Sequence, residues 1–171
     1  MGSGSIEFHN VPSKSPEEAE GLFKRATQIA EGKSRFRDHP IRNVFISFHN
    51  EDEAQVSLLR AQAKREQFGI EFRDYSIKEP IDEKWKREAA DRISHTSATF
   101  VMIGPKTAQR STVNWEIEES YIQHKRVIGI RIYKNRTDPV PELMKKNSAS
   151  IVNWTMEEIR RELDRSENEI L

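Results

Sequence analysis

One carboxylate, Glu116, stands beside Trp115 in a stretch from Ser111 to Lys125 whose apolar residues follow helical spacing. Val113, Ile117 and Tyr121 recur every four residues and form a stripe fit to lie on a sheet, with Glu116, Ser120 and Gln123 on the neighbouring stripe. This spacing puts Glu116 near a helix start, at the rim of the buried face. In an open α/β sheet, ligands bind at the strand ends along that rim. Two further groups end apolar runs: Ser47, Phe48, His49 and Asn50 after one, Asp74, Tyr75 and Ser76 after another. With Trp115 and Glu116 they offer aromatic faces, amides, hydroxyls and a semi-enclosed carboxylate, a set suited to a ligand with a flat ring and a sugar. Each also has a plainer reading, since acids near a helix start complement its dipole, tryptophans pack and aspartates form turns.

Several other chemistries lack their residues. No glycine lies between Ser47 and Asn50, which argues against a phosphate-cradling loop after the first strand. No Gly-x-Ser-x-Gly elbow is present to supply a serine nucleophile. The five histidines, at positions 9, 39, 49, 95 and 124, include no pair at metal-binding helical spacing, so no metal site is expected. A phospho-receiver shares the strand order expected below, but it needs an aspartate at the end of the third strand, where this chain has Ile103, Gly104 and Pro105. Glu51 and Asp52 then read as residues that cap and charge a helix start.

The elements that would position these residues can be read in order. Ser15, Pro16 and Glu18 form a capping signal, and Ala19, Leu22, Phe23, Ala26 and Ile29 predict an amphipathic helix over 16–31, followed by a linker to about residue 42. The first five residues read as a tag. Val44 to Phe48 predicts a strand, with Asn50 or Asp52 capping a helix that runs to about Gln67 on Val56, Leu59 and Ala63. Gly69 breaks it, and Ile70 to Tyr75 predicts a second strand. A helix from Pro80 uses Ile81, Trp85, Ala89 and Ile93, and Ala98 to Ile103 reads as a strand covered on both faces. After the Glu116 helix come a strand from Arg126 to Tyr133, a loop over 135–147 and a short strand from Ser150 to Trp154. Thr155 with Glu158 makes a capping box for a last helix that frays toward Leu171. Five alternations of strand and helix predict an α/β fold with a parallel sheet and helices on both faces. The division is a tag, tail, helix and linker over 1–41 and one domain over 42–171.

Composition bounds the partners. Lysine plus arginine equals aspartate plus glutamate at 28 each, so no broad field draws the chain to nucleic acid or an anionic membrane. No apolar run approaches a membrane span. The absence of cysteine excludes disulfides and thiolate chemistry and suits a reducing cytoplasm.

Three runs carry a family resemblance: Asn43 through Phe45, Ile46, Ser47 and Phe48 to His49; Asp74, Tyr75 and Ser76 followed by Pro80 and Trp85; and Val113 to Ile117 ahead of Ile128, Gly129 and Ile130. Over roughly residues 42–134 the chain resembles TIR-like domains, more narrowly the bacterial family that includes the ThsB component of Thoeris anti-phage defence. The resemblance implies a flavodoxin-like sheet in the order 2-1-3-4-5. It also implies cleavage of the nicotinamide–ribose bond of NAD, here a substrate rather than a cofactor, with release of a cyclic or modified ADP-ribose that signals to a partner effector. Glu116 matches the family's catalytic glutamate; Ser47, Phe48, His49 and Asn50 match the motif bordering the nucleotide pocket, and Asp74, Tyr75 and Ser76 match the loop after the second strand. TIR-type cleavage often requires several chains, which implies a homo-oligomer. Many TIR enzymes place a tryptophan four residues before the glutamate, where this chain has Thr112. The alternative is a non-catalytic TIR-like module for self-association or adaptor binding.

Overall fold

Short runs of Val, Ile, Phe and Ala that must be covered on both faces force the chain into parallel strands linked by helices. A computed structural model describes residues 41–74 and 82–168, with Asp74 and residues 166–168 described by backbone alone. Within it lie strand β1 (Arg42–Ser47), helix α1 (Glu53–Arg65), β2 (Ile70–Asp74), α2 (Glu83–Ser94), β3 (Ala98–Ile103), α3 (Ser111–Ile122), β4 (Arg126–Arg131), α4 (Glu142–Lys146), β5 (Ser150–Asn153) and α5 (Met156–Asn168). The sheet is five-stranded and parallel in the order β2-β1-β3-β4-β5. That is the flavodoxin-like order the family resemblance implies. The expected helix over 16–31, the tag and linker, Tyr75, Ser76, Pro80, Ile81 and the last residues before Leu171 lie outside the described residues.

Side chains alternate across the sheet. Val44, Ile46, Phe100, Met102, Ile128 and Ile130 face one layer, where Val56, Leu59 and Ala63 of α1 and Met156, Ile159 and Leu163 of α5 meet them. Val101, Ile103 and Val127 face the other, against Val113 and Ile117 of α3 and Met144 of α4. All six residues of β3 are buried, as its lack of charge predicts. Gly69 takes a left-handed φ of 74°, at the break the sequence places there. Among the described residues no helix is long and apolar enough to cross a membrane.

Three expectations need correction. Residues 135–147 are not loop throughout, because Glu142–Lys146 forms α4 directly after Pro141, which stands at its N-cap. Met144 is what makes the turn worth forming: it is 1% exposed and completes the layer under α3. Asp52 holds the N-cap position of α1, as expected, but not through its side chain. The imidazole of His49 instead accepts the Glu51 N–H at 3.1 Å and caps a 3-10 turn over Asn50–Asp52, while the Asp52 side chain makes no capping bond. At α5 the capping box is half formed: Thr155 Oγ1 accepts the Glu158 N–H at 3.2 Å, but the Glu158 carboxylate reaches the backbone N–H of Asn153 at 2.9 Å.

Gly129 shows how closely α4 approaches. A Cβ there would lie 2.5 Å from Ile151 Cδ1, 2.6 Å from Ile103 Cδ1 and 3.0 Å from Met144 Cε. A mid-strand glycine marks such an approach. Gly129→Ala should therefore lower unfolding stability by about 1–3 kcal/mol in a urea titration, the range for overpacking a filled core. An unchanged midpoint would mean that Met144 does not press on the strand.

Candidate functional site

The start of α3 is aimed by a buried hydroxyl. Thr107 Oγ1 accepts the Gly104 N–H at 2.8 Å and donates to the Met102 carbonyl at 2.9 Å, which locks the 3-10 turn Thr107–Gln109 onto the end of β3. Helix α3 then lays Val113 and Ile117 on the sheet, and the adjoining stripe of Glu116 and Ser120 is buried with them. Glu116 is therefore in the second turn and 4% exposed, more enclosed than the semi-enclosed carboxylate expected.

Its partner is the last residue of β1. Ser47, 1% exposed, donates its hydroxyl to the Glu116 carboxyl group. One turn on, Ser120 Oγ donates to the Glu116 backbone carbonyl at 2.7 Å and shares a hydrogen bond of 2.8 Å with Thr99 Oγ1 of β3. A string of polar groups thus joins β1, α3 and β3 inside an otherwise apolar layer. Burial pushes the Glu116 pKa up to about 8, against the opposing pull of the Ser47 hydroxyl. At neutral pH it is mainly a neutral acid.

The other expected residues divide. Phe48 packs against the core on the α1 side of the sheet, away from Glu116. His49 serves the 3-10 turn, and Asn50 is exposed. Asp74 ends β2 in register with Ile46 of β1, at the same edge as Ser47. Trp115 is half-buried against Trp85 of α2, with ring centroids 5.0 Å apart and planes tilted by 59°, so its stacking partner is another helix. Among the described residues of this set, Ser47 and Glu116 are joined by a hydrogen bond. Thr112, one turn earlier, is buried at 8% exposure.

Ser120 and Thr99 were not anticipated as parts of the site. Their signal was present: Thr99 is the hydroxyl in an apolar strand, and Ser120 shares the stripe of Glu116. Asp52, expected to cap, is 3% exposed and packs on the backbone of Gly104. Burial raises its pKa, and the nearby Glu51 and Asp138 carboxylates act in the same direction against His49. Among the described residues no group of three His, Asp or Glu side chains could hold a metal ion.

The model of the family described as "Thoeris protein ThsB, TIR-like domain" matches residues 45–137, just over half the chain. No curated protein matches it in sequence. Among solved structures, the TIR domain of a Toll-related receptor from Hydra magnipapillata aligns with a TM-score of 0.51 at 20% identity, covering 72% of this chain and 95% of that one. A CMP N-glycosidase of Clostridium botulinum aligns with a TM-score of 0.45 at 14% identity, covering 72% and 98%.

The raised pKa of Glu116 has a sign that stability can test. Between about pH 4.5, the ordinary glutamate value, and about pH 8, the folded chain holds a proton that the unfolded chain has lost, so stability falls as pH rises through that window. Glu116→Gln keeps an acceptor for Ser47 and carries no charge. It should melt at the same temperature as the unaltered chain near the acid end of the window and several degrees higher above pH 8 in calorimetry. Equal melting at both ends would show that the carboxyl group is not enclosed.

Proposed function

The chain belongs to the family of the TIR-like domain of Thoeris protein ThsB, and from that membership we propose that it cleaves the nicotinamide–ribose bond of NAD and releases a cyclic or modified ADP-ribose as a signal in anti-phage defence. The observation that carries the reading is the Ser47–Glu116 pair at the carboxyl ends of β1 and β3, where the strand order reverses and α/β sheets bind their ligands. NAD is the substrate, no further cofactor takes part, and the work is done in the cytoplasm by a homo-oligomer whose diffusible product reaches a separate effector.

The chemistry needs one carboxylate. Nicotinamide is a cation while bonded to ribose, so it leaves as a neutral molecule when the electrons of the C1′–N bond pass to its ring. The ribose carbon becomes oxocarbenium-like, as in glycoside hydrolysis, without a second acid to protonate the leaving group. A nearby carboxylate stabilises that charge by about 3 kcal/mol, or ~100-fold in rate. Glu116 is protonated in the free protein at neutral pH. The pyridinium cation supplies what the buried acid lacks, an opposite charge that favours its ionised form, so substrate binding expels the proton. A poorly hydrated surround then lets an internal nucleophile compete with water for the ribose carbon. Ser47 holds the carboxylate by hydrogen bonding, and Asp74, which ends β2 at the same sheet edge, borders the nucleotide together with Tyr75 and Ser76, which follow it in sequence.

A second reading has an observation of its own. Glu116 at 4% exposure and Trp115 packed on Trp85 suit a non-catalytic TIR-like module, which needs no opening beside the acid. Incubation with NAD followed by chromatography and mass analysis separates the two. The enzyme releases free nicotinamide, and its companion product is heavier by one water if hydrolysis rather than ring closure occurs. Glu116→Gln should lower release by ~100-fold or more with the fold intact, and nicotinamide release that persists in this variant defeats the assignment. In the unaltered chain kcat/KM should climb about tenfold per pH unit up to about pH 8 and then level off, following the free acid. A chain that self-associates yet yields no nicotinamide at any pH is the module.

A further inference from the structure

A cleft of about 660 Å³ opens on the other side of the sheet from Glu116. It lies between Gln62 of α1, Arg131 and Lys134 at the exit of β4, and Asn153, Trp154 and Glu158 at the turn from β5 into α5. Glu116 is not part of its wall, and α1 and α5 cover the face opposite to α3. Its size falls within the roughly 300–1,000 Å³ of small-molecule sites, and it sits at the carboxyl ends of two parallel strands.

The side chains in this cleft are arranged in complementary kinds. Trp154 is half-buried, and its indole N–H donates to Gln62 Oε1 at 3.1 Å, which fixes the ring at the cleft wall. Arg131 donates one guanidinium N–H to the Asp138 carbonyl at 3.2 Å and keeps the rest of its fork for another acceptor. Lys134 is exposed and has no carboxylate partner among the described residues. Across from these cations, the Glu158 carboxylate accepts the Asn153 backbone N–H at 2.9 Å and its side-chain amide at 3.4 Å, which holds it in place with lone pairs to spare. Two cations against one carboxylate favour an anionic ligand. A fixed indole gives a flat ring a surface to lie on, the cations suit a phosphate, and a held carboxylate with an adjacent amide suits ribose hydroxyls.

We propose that this cleft is a second ligand site, separate from Glu116, that takes an anionic nucleotide: base on Trp154, phosphate on Arg131 and Lys134, ribose on Glu158 and Asn153. The site does not rest on any reaction at Glu116, and its test uses a nucleotide that carries no nicotinamide.

The probe is ADP, titrated into the full chain while the indole N–H signals of the three tryptophans are followed by NMR, with Trp154→Phe to identify one of them and calorimetry for affinity. Binding should shift the Trp154 signal and not those of Trp85 or Trp115. Lys134→Glu, at an exposed position, should weaken ADP about tenfold or more with unchanged melting, and Asn153→Asp should weaken it in the same direction. Glu116→Gln should bind ADP as the unaltered chain does. Adenosine and inorganic phosphate, offered singly, should each bind at least tenfold more weakly than ADP, since each engages one part of the cleft. The proposal is overturned if millimolar ADP leaves the Trp154 signal in place, if Lys134→Glu and Asn153→Asp bind it as well as the unaltered chain, or if Glu116→Gln abolishes binding and so locates ADP on the other face.

Discussion

An ionisable group shut into an apolar layer at the tip of β1 is the constraint from which the rest of the structure follows. A bare carboxylate cannot be held there without water or a cation, so Glu116 keeps its proton at neutral pH and takes the Ser47 hydroxyl as its partner. That contact tolerates little movement. It needs α3 fixed to within a fraction of a hydrogen-bond length, and the fixing is done by ordinary apolar packing: Val113 and Ile117 on Val101 and Ile103, with Met144 closing the layer from the side. The Ser120–Thr99 bond adds a polar peg between helix and sheet at a position where slippage would misalign the pair.

The same enclosure links stability to chemistry. Neutral, the acid is accommodated; ionised, it strains the fold unless something cationic lies beside it. On the proposed function that something is the pyridinium ring of the substrate, so the group that weakens the empty protein at alkaline pH is the group that a cationic ligand rewards. An amide in its place would relieve the fold and remove the charge that the ribosyl cation requires. Enclosure and reactivity are thus two results of one placement.

A parallel sheet sends every strand's carboxyl end to one edge, and the helix layers then divide that edge into two faces. Ser47 and Glu116 occupy the face under α3, and the cleft beside Trp154 occupies the face under α1 and α5. The two tryptophans nearest these places behave differently for a local reason. Trp115 is on a helix whose neighbour α2 presents Trp85, so the rings cover each other. Trp154 follows the short edge strand β5, and its N–H is tied to Gln62 across the cleft.

Strand and helix periodicity, the uncharged third strand and the alternation of elements are local properties, and from them the parallel α/β architecture, the helix faces of Val56, Leu59 and Ala63 or Trp85, Ala89 and Ile93, and the place of Glu116 beside the apolar stripe of its helix were all legible in the residues alone. What periodicity cannot carry is which distant groups meet. The approach of Ser47 to Glu116, the use of His49 as a turn cap, and the turning of Phe48 to the opposite core depend on contacts between residues far apart in the chain or on which side of a strand end the backbone leaves. The helix Glu142–Lys146 was hidden for a related reason: five residues show too little of a 3.6-residue repeat to be seen, and what stabilises them is the socket that Gly129 leaves for Met144. The amino-acid pattern by itself determined the elements and which of their faces are apolar, because those follow from neighbours a few residues apart. The tertiary structure alone decided that Glu116 is sealed, protonated and paired, because the electrostatics of a carboxyl group depend on the water excluded from around it, and that exclusion exists only once the layers have closed.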